Sequence, residues 1–335
     1  MNLVRAEWER LAARRFVRLM LALLVLAFAI TAATTLVGSH RPSFTEIASA
    51  RHSAIADRQA LEETFQQCLA AVRGTLPPEE AQDYPPDCSV FDPGQRDRLP
   101  VAADYLHGVF TFADQARPLL YLLVLFLVLF GFLVGASYIG ADLSTGGVVN
   151  LLIWRPRRLA VLGAKLGTLL GALTLLSVLA SAAYLGVFWL IGQGAGLPGE
   201  TGGDFWPTLA LVWLRGLVLV LLVATAGFAL ATLGRRTAAA LGAVTAYAVV
   251  WELGLRVVVE VVSLPRGEDW MLSTYLDAWL TGQARLSDAT ACRGMSSYCD
   301  GSYQIGWGLG LAVLLAVVGA LTAAAFGAFR RRDLG

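Results

Sequence analysis

The sequence predicts an all-α polytopic membrane protein with six transmembrane helices. Three observations carry the prediction: composition, the length of the apolar runs, and the placement of arginine. Hydrophobic residues make up 56% of the chain and charged residues 15%, with a mean hydropathy of +0.62. A soluble domain holds about 25% charged residues. The apolar residues collect at 16–38, 118–140, 161–192, 208–234, 237–264 and 305–329. Each run reaches the length of about 20 residues that a helix needs to cross a bilayer. Backbone polar groups in lipid must be satisfied within the segment, so each run reads as a helix.

Arginine in the short flanks sets the orientation. One side holds Arg5, Arg10, Arg14, Arg15 and Arg18, then Arg155, Arg157, Arg158 and Lys165, then Arg235 and Arg236, then Arg330, Arg331 and Arg332. Only Glu7, Glu9, Asp142 and Asp333 oppose them there. This side is expected to be cytoplasmic, with both termini inside. The N-terminus has a competing reading as a cleaved signal peptide, cut near Ala32 and Ala33. Cleavage would leave an odd number of spans and would invert part of the arginine signal.

In chain order, residues 1–15 carry RAEWERLAARR, an amphipathic helix leading into the first span. The outer loop 39–117 opens with Phe44, Ile47, Ile55, Leu61, Phe65, Leu69 and Val72 at mostly helical spacing. Pro77, Pro78, Pro85, Pro86, Pro93 and Pro100 then mark irregular chain. This predicts a small helical cap that shields the outer mouth; a dedicated binding domain is the alternative. The fourth and fifth spans are separated by Arg235 and Arg236 alone, which implies a tight hairpin. The outer loop 265–304 contains Trp270, Leu272, Tyr275, Leu276 and Trp279, suited to a short interfacial helix because aromatic rings favour that depth. Residues 330–335 form a basic tail.

All four cysteines fall on the predicted outer face, Cys68 and Cys88 in one loop and Cys292 and Cys299 in the other. An oxidising compartment permits disulfides, and the pairs Cys68–Cys88 and Cys292–Cys299 are proposed. Four cysteines allow three pairings, and sequence alone does not choose among them. With no CxxC pair and no histidine cluster, no metal site is expected.

Charges within the fifth span stand out. Glu252, Arg256 and Glu260 are spaced four and four, so they share one helical face toward its outer end. They read either as a self-neutralising set at the end of the helix or as residues lining a route for a charged substrate. Arg215 near the outer end of the fourth span reads as structural. Gly131 with Gly135, the set Gly163, Gly167 and Gly171, and Gly306 with Gly310 are spaced to let helix backbones approach.

Several functions are excluded or demoted. A net charge of +1 gives no sign of a nucleic-acid partner. A P-loop needs lysine followed by Ser or Thr. The one lysine, Lys165, is followed by Leu166, so the chain holds no Walker A motif and is not an ATPase of that type. No HExxH or GxSxG motif occurs, and His40, His52 and His107 all lie in the first outer loop. The chain is therefore not expected to be an enzyme by itself. The scarcity of lysine fits a GC-rich bacterial genome.

The cytoplasmic connector, residues 141–160, is the most informative segment. It runs from GADLSTGGVV to NLLIWRPRR, sticky along Val148–Trp154 and charged at Asp142, Arg155, Arg157 and Arg158. Such a helix either lies along the membrane or docks in a groove on a partner. The order Gly140, Asp142, Ser144 to Gly147, Val148 to Trp154, Arg155–Pro156, Arg157–Arg158 and Ala164–Lys165 resembles the connector of ABC-2-type permeases. The N-terminal RAEWERLAARR resembles their elbow helix, and the ending FGAFRRRDLG their usual tail. The resemblance covers the whole chain, although many relatives have a shorter loop after the first span.

The resemblance implies a transmembrane subunit of an ABC exporter in a bacterial cell membrane. The connector would be the coupling helix, with Asp142, Trp154, Arg155, Pro156, Arg157 and Arg158 facing a separate ATPase subunit. ATP and magnesium would be bound by that partner, with no cofactor in this chain. A second permease copy would complete the path, with the first and fifth spans at the seam. Export of a drug-like, lipid or peptide substrate would be the function. An ATP-independent transporter or channel is the alternative, and it predicts mid-membrane charges and an internal repeat.

Overall fold

The computed structural model describes residues 3–81, 83–85, 87–95, 99–145, 158–262, 264, 266–288 and 302–331. Trp154, Arg155, Pro156 and Arg157 of the connector, and Cys292 and Cys299, lie outside the described residues.

The chain is a multi-pass helical membrane protein. Helix α1 covers Leu3–Ala13 and α2 covers Arg15–Val37. After the cap helix α3, Phe44–Val72, come α4 at Phe112–Ser144, α5 at Arg158–Ala195 and α6 at Phe205–Gly234. The fifth span is composite: α7 at Thr237–Ala246, a π-helical stretch at Tyr247–Leu253, then α8 at Gly254–Val262. A short helix α9, Leu272–Thr281, precedes α10, Trp307–Arg331. Six of these helical segments are long and apolar enough to cross a membrane.

Helices α4 and α6 form the centre, because small residues on α4 admit α6 closely. Gly131 faces Val220 and Ala224, and a Cβ at Gly135 would sit 2.5 Å from the Ala224 carbonyl oxygen. Leu123, Val134, Ala136, Val220 and Phe228 are buried around this seam. The glycines spaced by four therefore divide in use. A Cβ at Gly135 or Gly310 would meet backbone, the latter at the Tyr275 carbonyl, whereas one at Gly163, Gly167 or Gly171 would meet nothing within 4 Å among the described residues.

The first and fifth spans are the least covered. No described residue of α2 is buried, and Ala240 is the one buried residue of α7. Val249, Val250, Leu253, Val257, Val261 and Val262 of the fifth span are exposed apolar side chains. In lipid that exposure costs nothing, so burial alone does not separate a lipid face from a protein seam.

At the end away from most of the arginines, α3 is held by a capping box between Ser43 and Glu46. A disulfide joins Cys68 on α3 to Cys88, with a Cα–Cα separation of 5.8 Å. Arg58 Nε donates to the Pro100 carbonyl at 2.6 Å, and the Tyr105 hydroxyl donates to Asp57, so the proline-rich return is tied back onto the helix. Strand β1, Phe110–Thr111, pairs in parallel with β2, Gly196–Leu197. Strands β3, Gln283–Ser287, and β4, Ser302–Gly306, form an antiparallel pair that the sequence reading did not anticipate. Their apolar residues, Ala284, Leu286, Tyr303 and Ile305, alternate and pack against α9, but each run is too short to stand out in a helical protein.

Candidate functional site

The described residues bring charge together at two places, one at each end of the molecule. The first lies where α1, α4 and α5 meet, beside the connector. Helix α1 presents Glu7, α4 presents Tyr138 and Asp142 one turn apart, and α5 presents Lys165. The Lys165 ammonium donates to Glu7 Oε2 at 2.7 Å and to Asp142 Oδ2 at 2.8 Å. Tyr138 donates its hydroxyl to Glu7 Oε2 at 2.5 Å. Arg14, in the link from α1 to α2, pairs with Asp142 and donates to the Ser137 carbonyl at 3.2 Å. The Arg14 guanidinium and the Lys165 ammonium each lie 4.9 Å from the Tyr138 ring centre.

Burial makes this cluster consequential. The side chains of Glu7 and Lys165 are each 2% exposed, and Tyr138 is fully buried. A charge taken out of water is tolerated only when paired and hydrogen-bonded. Here the Glu7 and Asp142 carboxylates are answered by Lys165 and Arg14, and the exposed Arg10 also reaches Glu7 Oε1 at 3.4 Å, so neither buried carboxylate lacks a cation. It fastens α1 to α4 and α5, the helices that run into and out of residues 146–157.

Asp142 departs from its expected place. The resemblance implies a place for it on the partner-facing surface of the connector. Because α4 continues as helix to Ser144, Asp142 stays on the Tyr138 face and turns toward Arg14 and Lys165. Both of its oxygens are engaged within the chain. Arg158 begins α5, while the rest of the basic set lies outside the described residues. The reading also missed Glu7 as a partner of Lys165. One signal was present: a solitary lysine at the mouth of an apolar span needs a counter-charge, and amphipathic α1 offers two glutamates.

The second place is the opposite end of the fifth span. The Glu252 carboxylate accepts from the Leu272 amide at 2.8 Å, the Ser273 amide at 3.2 Å and the Ser273 hydroxyl at 2.7 Å. Tyr247 adds a fourth donor at 2.8 Å. Glu252 thus caps the N-terminus of α9, where backbone amides have no helical acceptor and negative charge is favoured. The expected pairing along Glu252, Arg256 and Glu260 does not form among the described residues. The π-helical stretch ending at Leu253 carries Glu252, and its carboxylate is committed to α9. Arg256 and Glu260 instead line an open cleft of about 700 Å3 with Glu268, Asp277 and Leu286.

Arg215 is part of the same end. Trp279 Nε1 donates to its carbonyl at 2.9 Å, and the guanidinium lies 5.9 Å from the Trp279 ring centre. It braces α9 against α6, in keeping with a structural role.

The model of the family described as ABC-2 family transporter protein matches residues 1–334. The chain belongs to the ABC-2 transporter family. No curated protein and no solved structure matches it. An ABC-2 family transporter protein is a membrane transport component and not itself an ATPase. In this member, α1, α4 and α5 are riveted together by a buried ion cluster, and α9 is capped by a glutamate from the fifth span.

Proposed function

We propose that this chain is the permease subunit of an ATP-driven exporter, working with a separate ATPase subunit and a second permease copy. The arginine-rich end would face the cytoplasm of a bacterial cell, with both termini there. ATP and magnesium would be bound by the partner, since Lys165 stands in no P-loop. The transported substrate would be drug-like, lipid or peptide.

The observation that carries the reading is the Glu7–Lys165–Asp142 cluster. A coupling segment does work only if its displacement moves whole helices. Residues 141–160 leave α4 and enter α5 at this cluster, so a push on Trp154, Arg155, Pro156, Arg157 and Arg158 would shift α1, α4 and α5 as a body. Interiors transmit strain because they are close-packed and little compressible. The second copy would meet this one along α2 and the fifth span, whose faces are uncovered within the chain, with Arg256 and Glu260 near the outer path.

Co-purification tests the reading. An ATPase subunit encoded beside this chain should be retained by the tagged permease, in a complex with two permease copies. Recovery of the permease without any ATPase, from cells expressing both, counts against it.

A further inference from the structure

A groove opens sideways between α1, α2, α4 and α5, with a volume of about 280 Å3. Its roof is Trp8 and Leu11, and its walls include Leu21, Val134, Leu173 and Leu176. Arg18 is the charged residue at its rim. We propose that this groove holds one acyl chain of an anionic phospholipid, with the lipid phosphate at Arg18. The proposal stands whether or not an ATPase drives the chain.

Three features point to this occupant. First, the depth fits. The α5 wall runs from Leu169 to Leu179, about 15 Å of helix at 1.5 Å per residue. That is one leaflet of a hydrocarbon core about 30 Å thick. Second, the chemistry divides as a lipid does. The walls are apolar throughout, while Arg18 lies one turn from Arg15, which begins α2. One Arg18 N–H reaches the Ala13 carbonyl at a long 3.4 Å, and the side chain is exposed. Arginine matches a phosphate with a fork of donors, and Trp8 lines the same groove with an indole, a ring that favours the membrane interface. Third, the roof is fixed in advance, because Glu7, one turn before Leu11 and next to Trp8 on α1, is held by Lys165 of α5.

A second copy of the chain is a poorer occupant. Leu26, Ile30 and Val37 project roughly half a turn round α2 from Val17 and Leu21, so a seam on that face leaves the groove to lipid.

The test uses the full chain reconstituted in vesicles of equal phosphatidylglycerol and phosphatidylcholine, re-extracted, and weighed by native mass spectrometry. The unaltered chain should retain one phosphatidylglycerol in preference to phosphatidylcholine. Arg18→Gln, a change at an exposed residue, should lower that preference about fivefold, the weight of one basic residue beside anionic lipid. Ala172→Trp, which fills the groove, should abolish retention of either lipid, while Gly167→Trp on the open face of α5 should not. An unchanged lipid ratio in Arg18→Gln overturns the proposal. So does lipid still bound to Ala172→Trp, or an Ala172→Trp chain whose dimer is lost with its lipid content constant.

Discussion

Lys165 of α5 places its ammonium 2.7 Å from the Glu7 carboxylate of α1, with both side chains withdrawn from solvent. The contact joins residues 158 positions apart in sequence. It converts an amphipathic N-terminal helix into a fixed part of the transmembrane body.

Removing one side of that pair should be costly. Lys165→Met removes the cation that Glu7 and Asp142 share and leaves Glu7, buried, with only the exposed Arg10 at 3.4 Å; loss of one partner from a buried pair costs about 3–5 kcal/mol. Adding Glu7→Gln to Lys165→Met should recover part of the loss, because it removes the stranded charge. Thermal unfolding of the purified full chain in detergent measures both. A double variant no more stable than Lys165→Met would show that Glu7 and Lys165 do not act together.

The glycine seam predicts a position-dependent effect of one methyl group. Gly135→Ala drives a Cβ against the Ala224 backbone and should separate α4 from α6, destabilising by about 1–3 kcal/mol as overpacking does. Gly167→Ala meets open space and should be neutral or slightly stabilising, since alanine favours helix by about 1 kcal/mol over glycine. Parallel unfolding curves compare the two.

Glu252→Ala should loosen α9 locally. It strips the Leu272 and Ser273 amides of their acceptor, a loss comparable to removal of a helix cap at about 1 kcal/mol. Hydrogen exchange at Leu272 and Ser273 should accelerate about fivefold. Exchange in α4 and α6 should stay unchanged, because the cap does not touch them.

The legible and illegible parts of the fold divide along physical lines. The membrane spans were readable because lipid demands long apolar helices, and the Cys68–Cys88 bridge because both cysteines fall in one loop between spans. The Glu252 cap was not readable. Its i, i+4 spacing to Arg256 advertises an intrahelical pair, and only the placement of α9 shows a stronger set of donors. Asp142 was misplaced for a related reason: local sequence marks it as polar and near the connector, but which way it turns depends on Arg14 and Lys165 arriving from elsewhere. The β3–β4 pair went unseen because ten strand residues split between two runs carry little periodicity. Residue type foretold membrane and family, whereas charge partnership needed three dimensions.

The cap built on α3 should respond to acid. The Ser43 backbone amide, and then its hydroxyl, hold the Glu46 carboxyl below its ordinary value of 4.5. A lowered folded-state value means the stabilisation is present above pH 4.5 and is lost as pH falls through the lower folded value. Amide exchange in the first turn of α3 should therefore quicken below pH 4.5, and Glu46→Gln should remove that dependence. Persistent acid sensitivity in Glu46→Gln would assign it elsewhere.

In the proposed function, this chain receives the work of ATP hydrolysis through residues 141–160. The most direct measurement is ATP turnover by the purified complex of this chain with its ATPase subunit, comparing the unaltered connector with a Trp154→Ala, Arg155→Ala variant. The variant should fold and insert normally but lose at least tenfold in chain-dependent turnover, or fail to assemble. Full assembly with undiminished turnover would contradict it.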